Sequence, residues 1–253
     1  MFSLVAYSEV LPTSAAAYTA VAAVADQHMR VEGDIIYIGE MNQIVAYGVA
    51  CGQAVTAAYL SSPSLRRLAL LDILPIRAND DFASRDAFRW YPDNPLALQT
   101  NEGLEAYVYS NEGSPTDNSV IGVVLSDGTL TPVSGEIFTV LATATITEVA
   151  STWVNTEIDF RQTLPVGRYQ IVGAMAVIVD GMLFRFVPKG AAHRPGGACG
   201  ILIGSAMPSI QRNGGLGVWC EFDQITPPSV DILANEDAAG TALQMAIDLI
   251  KVG

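Results

Sequence analysis

Two apolar, β-branched runs separated by a single Asp-Gly step constrain this chain more than anything else in it. Tyr169 to Val179 (YQIVGAMAVIV) and Met182 to Val187 (MLFRFV) read as strands, and Asp180-Gly181 is the pair that a two-residue turn asks for. The spacing predicts a hairpin with a largely buried core, the centre of a sheet. After Val187 the composition changes to Pro, Gly, Lys, His and Arg as far as Gly197, and Cys199 to Ile203 turns apolar again. A long strand pair, a glycine-rich excursion and a further strand form the pattern of a β-sandwich.

The rest of the chain is bounded by size and charge. At 253 residues and 50% apolar composition it can bury one large core or two ordinary ones. Its formal charge of −13, from 26 acidic and 13 basic residues, is spread over both halves. Such a surface repels phosphate backbones, which argues against direct nucleic-acid binding and for solubility. No apolar segment reaches the ~18 residues of a membrane span. Met1-Phe2-Ser3-Leu4 carries no basic export signature, so cytoplasmic synthesis is the expectation. Cys51, Cys199 and Cys220 are odd in number and widely spaced, as buried reduced thiols are.

Taken in order, Phe2 to Val10 reads as an opening strand. The alanine-rich run Ala15 to Met29 favours a short N-terminal helix, although Tyr18, Val21 and Val24 also suit a strand. Asp34 to Ile38, Ile44 to Ala50 and Ala54 to Leu60 make a β-meander. A polar turn with the chain's only adjacent basic pair, Arg66-Arg67, follows, and then an aromatic excursion from Arg77 to Gln99 containing Phe82, Phe88, Trp90 and Tyr91. Four rings would not be left in water, so the excursion should pack on its own barrel or a neighbour. Leu104 to Tyr109 alternates as a half-buried strand. Val120 to Leu125, Ser126-Asp127-Gly128-Thr129 and Leu130 to Val133 spell a hairpin. Glu136 to Ile146, Trp153 to Phe160, Leu216 to Phe222 and Val230 to Leu233 are further strands, with a second irregular excursion over Gly204 to Gly215. At the end, Asn235 as N-cap, Glu236 and Asp237 in a first turn, and Leu243, Ile247 and Ile250 on one face predict a short amphipathic C-terminal helix.

The halves echo each other faintly. Tyr37-Ile38-Gly39 matches Ile171-Val172-Gly173, the Ala54 to Leu60 strand matches Leu183 to Val187, and Ala106 to Tyr109 matches Val218 to Phe222, in the same order. A duplication would give each half about eight strands, the number of a jelly roll. The division predicted is 1–130 for a first jelly roll and 131–253 for a second with the C-terminal helix.

Chemistry is sparse. His28 and His193 stand in opposite halves, so the clustered histidines of a metal-dependent cupin are missing. Gly204-Ser205-Ala206 lacks a nucleophile elbow, and Asn79-Asp80-Asp81 has no following calcium ladder. Gly190, Gly196, Gly197 and Gly200 match neither phosphate-binding spacing and read as turn and bulge positions. Glu105, Glu221 and Asp223 lie on or near strands where paired carboxylates could face a groove, but alternation turns most of them to solvent. No catalytic, cofactor-binding or metal-binding residue is nominated, and no cofactor is expected.

The strand LPVGRYQIVGA (Leu164 to Ala174), the strand-to-loop FRFVPKGAAHRPGG (Phe184 to Gly197) and the tail LGVWCEFDQITPPSVDILAN (Leu216 to Asn235) together resemble the major capsid proteins of the double jelly-roll type. Those proteins build the shells of tailless, often membrane-containing, icosahedral bacteriophages and their relatives. The resemblance implies an all-β fold of two tandem eight-stranded jelly-roll sandwiches and a structural, non-enzymatic function as a homotrimeric, pseudo-hexagonal capsomer. It implies contacts with neighbouring capsomers and minor or vertex proteins, a virion location after assembly in the host cytoplasm, and an internal membrane as the layer such shells often cover. The lack of an arginine-rich arm suits a shell separated from its genome. The reading from another class is a β-sandwich receptor- or carbohydrate-binding protein of a virion or cell surface, with Trp90, Tyr91 and Trp219 stacking on sugars.

Overall fold

The computed structural model describes residues 1–10, 17–50, 55–67, 71–73, 88–110, 118–200 and 216–252. Apart from one five-residue helix, every described element is a strand, so the expected all-β class is the class observed. The chain divides into two compact units, residues 5–128 on one side and residues 1–4 with 129–253 on the other. No helix among the described residues is long and apolar enough to cross a membrane.

The unit of residues 5–128 contains β1 (Phe2–Val10, from Val5 onward), β2 (Ala17–Ala20), β3 (Arg30–Glu32), β4 (Ile35–Tyr37), β5 (Gln43–Ala50) and β6 (Val55–Ser61). It continues with α1 (Pro63–Arg67), β7 (Leu71–Ile73), β8 (Arg89–Trp90), β9 (Leu96–Ala97), β10 (Gly103–Ser110) and β11 (Asn118–Ser126). One sheet runs β1-β11-β5-β8, with β9 sharing the outer edge of β5. The other runs β3-β4-β10-β6-β7, with β2 beside β4 along one edge of β10. On β10, Leu104, Ala106 and Val108 are buried while Glu105, Tyr107 and Tyr109 point to the half-covered outer face, the period-two signature of a strand with one solvated side. Ile36, Leu60, Leu104, Ile121, Val123 and Leu125 meet in one apolar core, each such side chain contributing roughly 1.5–3 kcal/mol by burial. Tyr7 joins them fully buried, and its hydroxyl donates to Leu104 O at 2.6 Å.

The other unit contains β12 (Ile137–Glu148), β13 (Trp153–Glu157), β14 (Asp159–Phe160), β15 (Arg168–Val177), β16 (Gly181–Val187), β17 (Gly196–Gly200), β18 (Cys220–Asp223), β19 (Ser229–Ala234) and β20 (Ala238–Lys251). They follow the order β13-β19-β16-β17-β15-β20-β12-β14, with β18 also on β15. β17 is the corner: it pairs antiparallel with β16 and parallel with β15, joining the two layers. An aromatic cluster fills the space near β16. Trp219, 1% exposed, lies 5.6 Å from Phe2, 6.3 Å from Phe184 and 6.1 Å from Phe186.

Several local expectations are corrected. The C-terminal helix is β20, a fourteen-residue strand between β12 and β15. Leu243, Met245, Ile247 and Leu249 satisfy a period of two as well as Leu243, Ile247 and Ile250 satisfy a helical face, and a ladder on both edges decides for the strand. Asp237 accordingly accepts from the Ala150 N–H at 2.8 Å. The N-terminal helix is absent from the described part of Ala15 to Met29, where Ala17–Ala20 pairs with β10. Tyr169 to Val187 is not a hairpin: β15 and β16 lie on opposite sides of β17, and Asp180 carries the chain between layers. Because both strands are buried nearly end to end, no alternation marks which partner each takes. Asp34 to Leu60 is not a meander, since β4 and β6 flank β10 while β5 belongs to the other sheet. Leu130 to Val133 forms no strand on β11; Thr131 O instead accepts from Val218 N at 2.9 Å. Of the echoes between halves, β18 pairs with β15 as β10 pairs with β4, but β16 pairs with β17 and β19 where β6 pairs with β10. Cys51, residues 77–87 with Phe82 and Asn79-Asp80-Asp81, and residues 201–215 with Gly204-Ser205-Ala206 lie outside the described residues.

Candidate functional site

Among the described residues, a dense polar arrangement is built on β16. Arg185 is 2% exposed in the middle of an apolar strand, and its register partner on β19 is Asp231. Arg185 Nε donates to Asp231 Oδ2 at 2.9 Å and Nη1 donates to Leu4 O at 3.2 Å. The guanidinium lies 4.1 Å from the centre of the Trp153 ring, while Asn155 Nδ2 donates to the second Asp231 oxygen at 2.8 Å. A buried guanidinium is tolerable only when paired and hydrogen-bonded in this way. These contacts hold strands and the N-terminal segment, and use both carboxylate oxygens.

A second buried acid lies at the bulged end of the β12–β20 ladder. Glu148 is 2% exposed, and neither carboxylate oxygen reaches a partner in hydrogen-bond geometry. Burial raises its pKa, the nearby Thr241 hydroxyl draws it partly back, and the charge of Asp180 raises it further. Cys199 is pushed up by burial and then by Glu148, and Cys220 by burial alone. Both are free, buried thiols, as the cysteine count suggests, and a thiol held neutral is a poor nucleophile.

In the unit of residues 5–128, Glu102 caps α1. Burial alone would raise its pKa; hydrogen bonds from the Ser64 hydroxyl and N–H, the Gln99 N–H and Ser62 leave it lowered instead. The Ser64 hydroxyl donates at 2.6 Å and the Gln99 N–H at 2.7 Å. Ser62 Oγ accepts from Leu65 N at 3.1 Å and Pro63 opens the helix, so Ser62-Pro63 is an N-cap and first-turn pair where the sequence suggests only a polar turn. That places the basic pair on α1: Arg67 is exposed, while Arg66 reaches Ser61 Oγ at 3.2 Å and Glu105 at 3.5 Å.

The carboxylates weighed as a pair are partly gathered. Glu221 and Asp223 lie on β18, beside a shallow groove of about 200 Å³ also lined by Arg168, Lys189, Phe222 and Thr226. Both face solvent, as alternation predicts, and Arg168 pairs with Glu221. Glu105 belongs to the other unit. The histidines are also separate: His28 is exposed on residues 5–128, and half-buried His193 places Nε2 3.2 Å from Trp219 O. Among the described residues no group of three or more His, Cys, Asp or Glu is arranged to hold a metal ion. Gly190 has φ +81° in a turn. Gly196 is required by packing, since a Cβ there would stand 2.1 Å from Phe184 O.

The rings considered for sugar stacking are engaged elsewhere. Trp219 is enclosed, Trp90 packs 5.7 Å from Phe88, and Tyr91 lies 5.4 Å from Tyr47 with its hydroxyl buried. What the unit of residues 129–253 does present is apolar: Val166 is 84% exposed and Ile225 76%. Gln224 N donates to Gly167 O and Val252 N to Arg168 O, which bring the loops bearing Val166, Ile225 and half-exposed Val252 to one end. Arg185, Asp231, Glu148 and Glu102 were not singled out from the sequence. The available signal was a lone charge inside an apolar run, as in LFRFV and VDILA.

No family model matches the chain, and no curated protein matches it. Among solved structures, the major capsid protein P2 of bacteriophage PM2 aligns over 100% of this chain and 98% of its own, at 8% identity and a TM-score of 0.24. The PBSX exported protein XepA aligns over 98% and 86%, at 9% identity and a TM-score of 0.28. Both scores lie below the range of a shared fold.

Proposed function

We propose that the chain is a structural subunit that self-associates into a protein shell, a capsid protein of the double jelly-roll type rather than an enzyme. The observation that carries this reading is the exposed apolar end of the 129–253 unit, where Val166 and Ile225 stand 84% and 76% open to water. Scattered apolar side chains on a surface need no explanation, but loops bonded to each other and each tipped with one supply an edge for a neighbouring copy to cover. The buried charges support the same reading, because Arg185, Asp231 and Glu102 are engaged in holding strands and a helix cap.

In this reading residues 1–130 and 131–253 each form a jelly roll, three copies make a pseudo-hexagonal capsomer, and capsomers close an icosahedral shell in the host cytoplasm. Its partners are further copies and minor or vertex proteins; an internal membrane, where there is one, lies beneath. The net charge of −13 keeps the subunit off nucleic acid. Negative-stain microscopy of the purified chain tests this: closed particles or pseudo-hexagonal trimers are expected, and a field of single subunits at every concentration would overturn it.

A further inference from the structure

The outer face of the β2-β10-β6 layer carries four tyrosines that the shell reading does not use. Tyr107 is the register partner of Tyr59, and Tyr109 of Tyr18, so the rings stand in adjacent rows across three strands. Tyr59 and Tyr107 stack, with centroids 4.9 Å apart and planes 11° from parallel. Tyr18 meets Tyr59 at 4.8 Å and 71°, and Tyr109 at 5.1 Å and 61°. Tyr18 is 43% exposed and the other three are half-buried. Arg66 and Glu105, 3.5 Å apart, flank the rings.

We infer that this tyrosine face is a docking surface for a second copy of the chain. The inference rests on the shell reading for its partner and adds the surface. Charge is the first argument. Copies at −13 repel each other, so contact is favoured where local charge is small, and beside these rings Arg66 offsets Glu105, with Asp34 a further acid acting on Tyr107. Ring geometry is the second. A sugar wants a broad ring face turned to solvent, whereas Tyr59 and Tyr107 cover one another and Tyr18 engages two neighbours at steep angles. Ring edges beside polar and charged groups make the mixed apolar and polar surface in which tyrosine is enriched at protein interfaces. Area is the third. The four residues over which β2, β10 and β6 lie side by side span about 13 Å, and three strands about 15 Å, on the order of 200 Å². That is about a quarter of the ~800 Å² each partner gives a stable contact, so a copy docked here must also be held elsewhere, as a lattice subunit with several neighbours is.

Sedimentation velocity over a concentration series, on the full chain and the Tyr59→Ser/Tyr107→Ser variant, tests the inference. The variant should associate roughly thirtyfold more weakly while its thermal midpoint stays within a few degrees of the parent. The single variant Tyr18→Glu, at the most exposed ring, should weaken association in the same direction and guards against a folding defect in the double variant. Equal association of all three proteins overturns the inference, and particles that still form from them leave the shell reading standing. Conversely, association lost in the variants while the parent forms dimers but never closed particles supports this surface and overturns the shell. Oligosaccharide binding that depends on Tyr59 and Tyr107, with self-association unchanged, also overturns it.

Discussion

The two units bury different chemistry. Among the described residues, the unit of residues 5–128 buries one ionisable carboxylate, Glu102, with serines and an otherwise apolar core. The unit of residues 129–253 buries Glu148, Arg185, Arg194, Asp231 and Asp248. In the first, burial of Leu, Ile and Val fixes the layers and the one acid caps a helix at the periphery. In the second, strand positions inside the sandwich are tied by a guanidinium and a carboxylate. On β10 alternation fixes the register, because a one-residue slip would turn Leu104, Ala106 and Val108 to the outer face, whereas β16 is buried nearly end to end and its register with β19 is marked by the Arg185–Asp231 pair.

The largest effect that could break this contrast is Asp231→Ala, which leaves a buried guanidinium unpaired. A loss of about 3–5 kcal/mol is expected in urea unfolding, with Arg185→Met/Asp231→Leu recovering most of it. A single variant costing under about 1 kcal/mol would mean the network is dispensable. Next comes Glu148. Because its pKa is raised in the folded chain, its carboxyl favours folding at acid pH, and that contribution is lost as pH rises through the raised value. Glu148→Gln should therefore flatten the fall in stability with rising pH above the ordinary carboxylate range; parallel pH profiles would contradict this.

Glu102 has the opposite sign. Its lowered pKa contributes stability at neutral pH that is lost as pH falls through the carboxylate range. Hydrogen exchange resolved by segment should show acid loosening α1 and its flanks in wild type, with Glu102→Gln costing about 1 kcal/mol near neutral pH and losing less on acidification. The smallest effect belongs to Arg66→Glu/Arg67→Glu on exposed α1. Stability should change by only about 0.5 kcal/mol, while particle yield falls; unchanged yield would remove the basic pair from any interface.

Strand content was legible in the sequence because runs such as Gln43–Ala50, Gly103–Ser110 and Ile137–Glu148 are β-branched or alternate cleanly. Pairing was not. The Asp180-Gly181 step satisfies hairpin chemistry, but its strands go to different layers through β17, a choice made by distant partners and invisible to a local window. Residues 238–251 fail for a related reason: their apolar positions fit both periods, and only the ladders to β12 and β15 select one. Gly196, Gly197 and Gly200 read as turn and bulge positions, with a strand expected only from Cys199, yet Gly196–Gly200 is a buried strand, since the missing side chain at Gly196 lets β16 approach. Of the site, the exposed acids on β18 followed from alternation, whereas Arg185 needed its partner Asp231, 46 residues away, to make sense.

Native mass spectrometry of the purified 26.8 kDa chain tests the account at its centre, because it counts copies directly. Discrete assemblies at multiples of that mass are expected, with the trimer prominent and larger particles growing as concentration rises. A single monomer peak across the whole concentration range would contradict it.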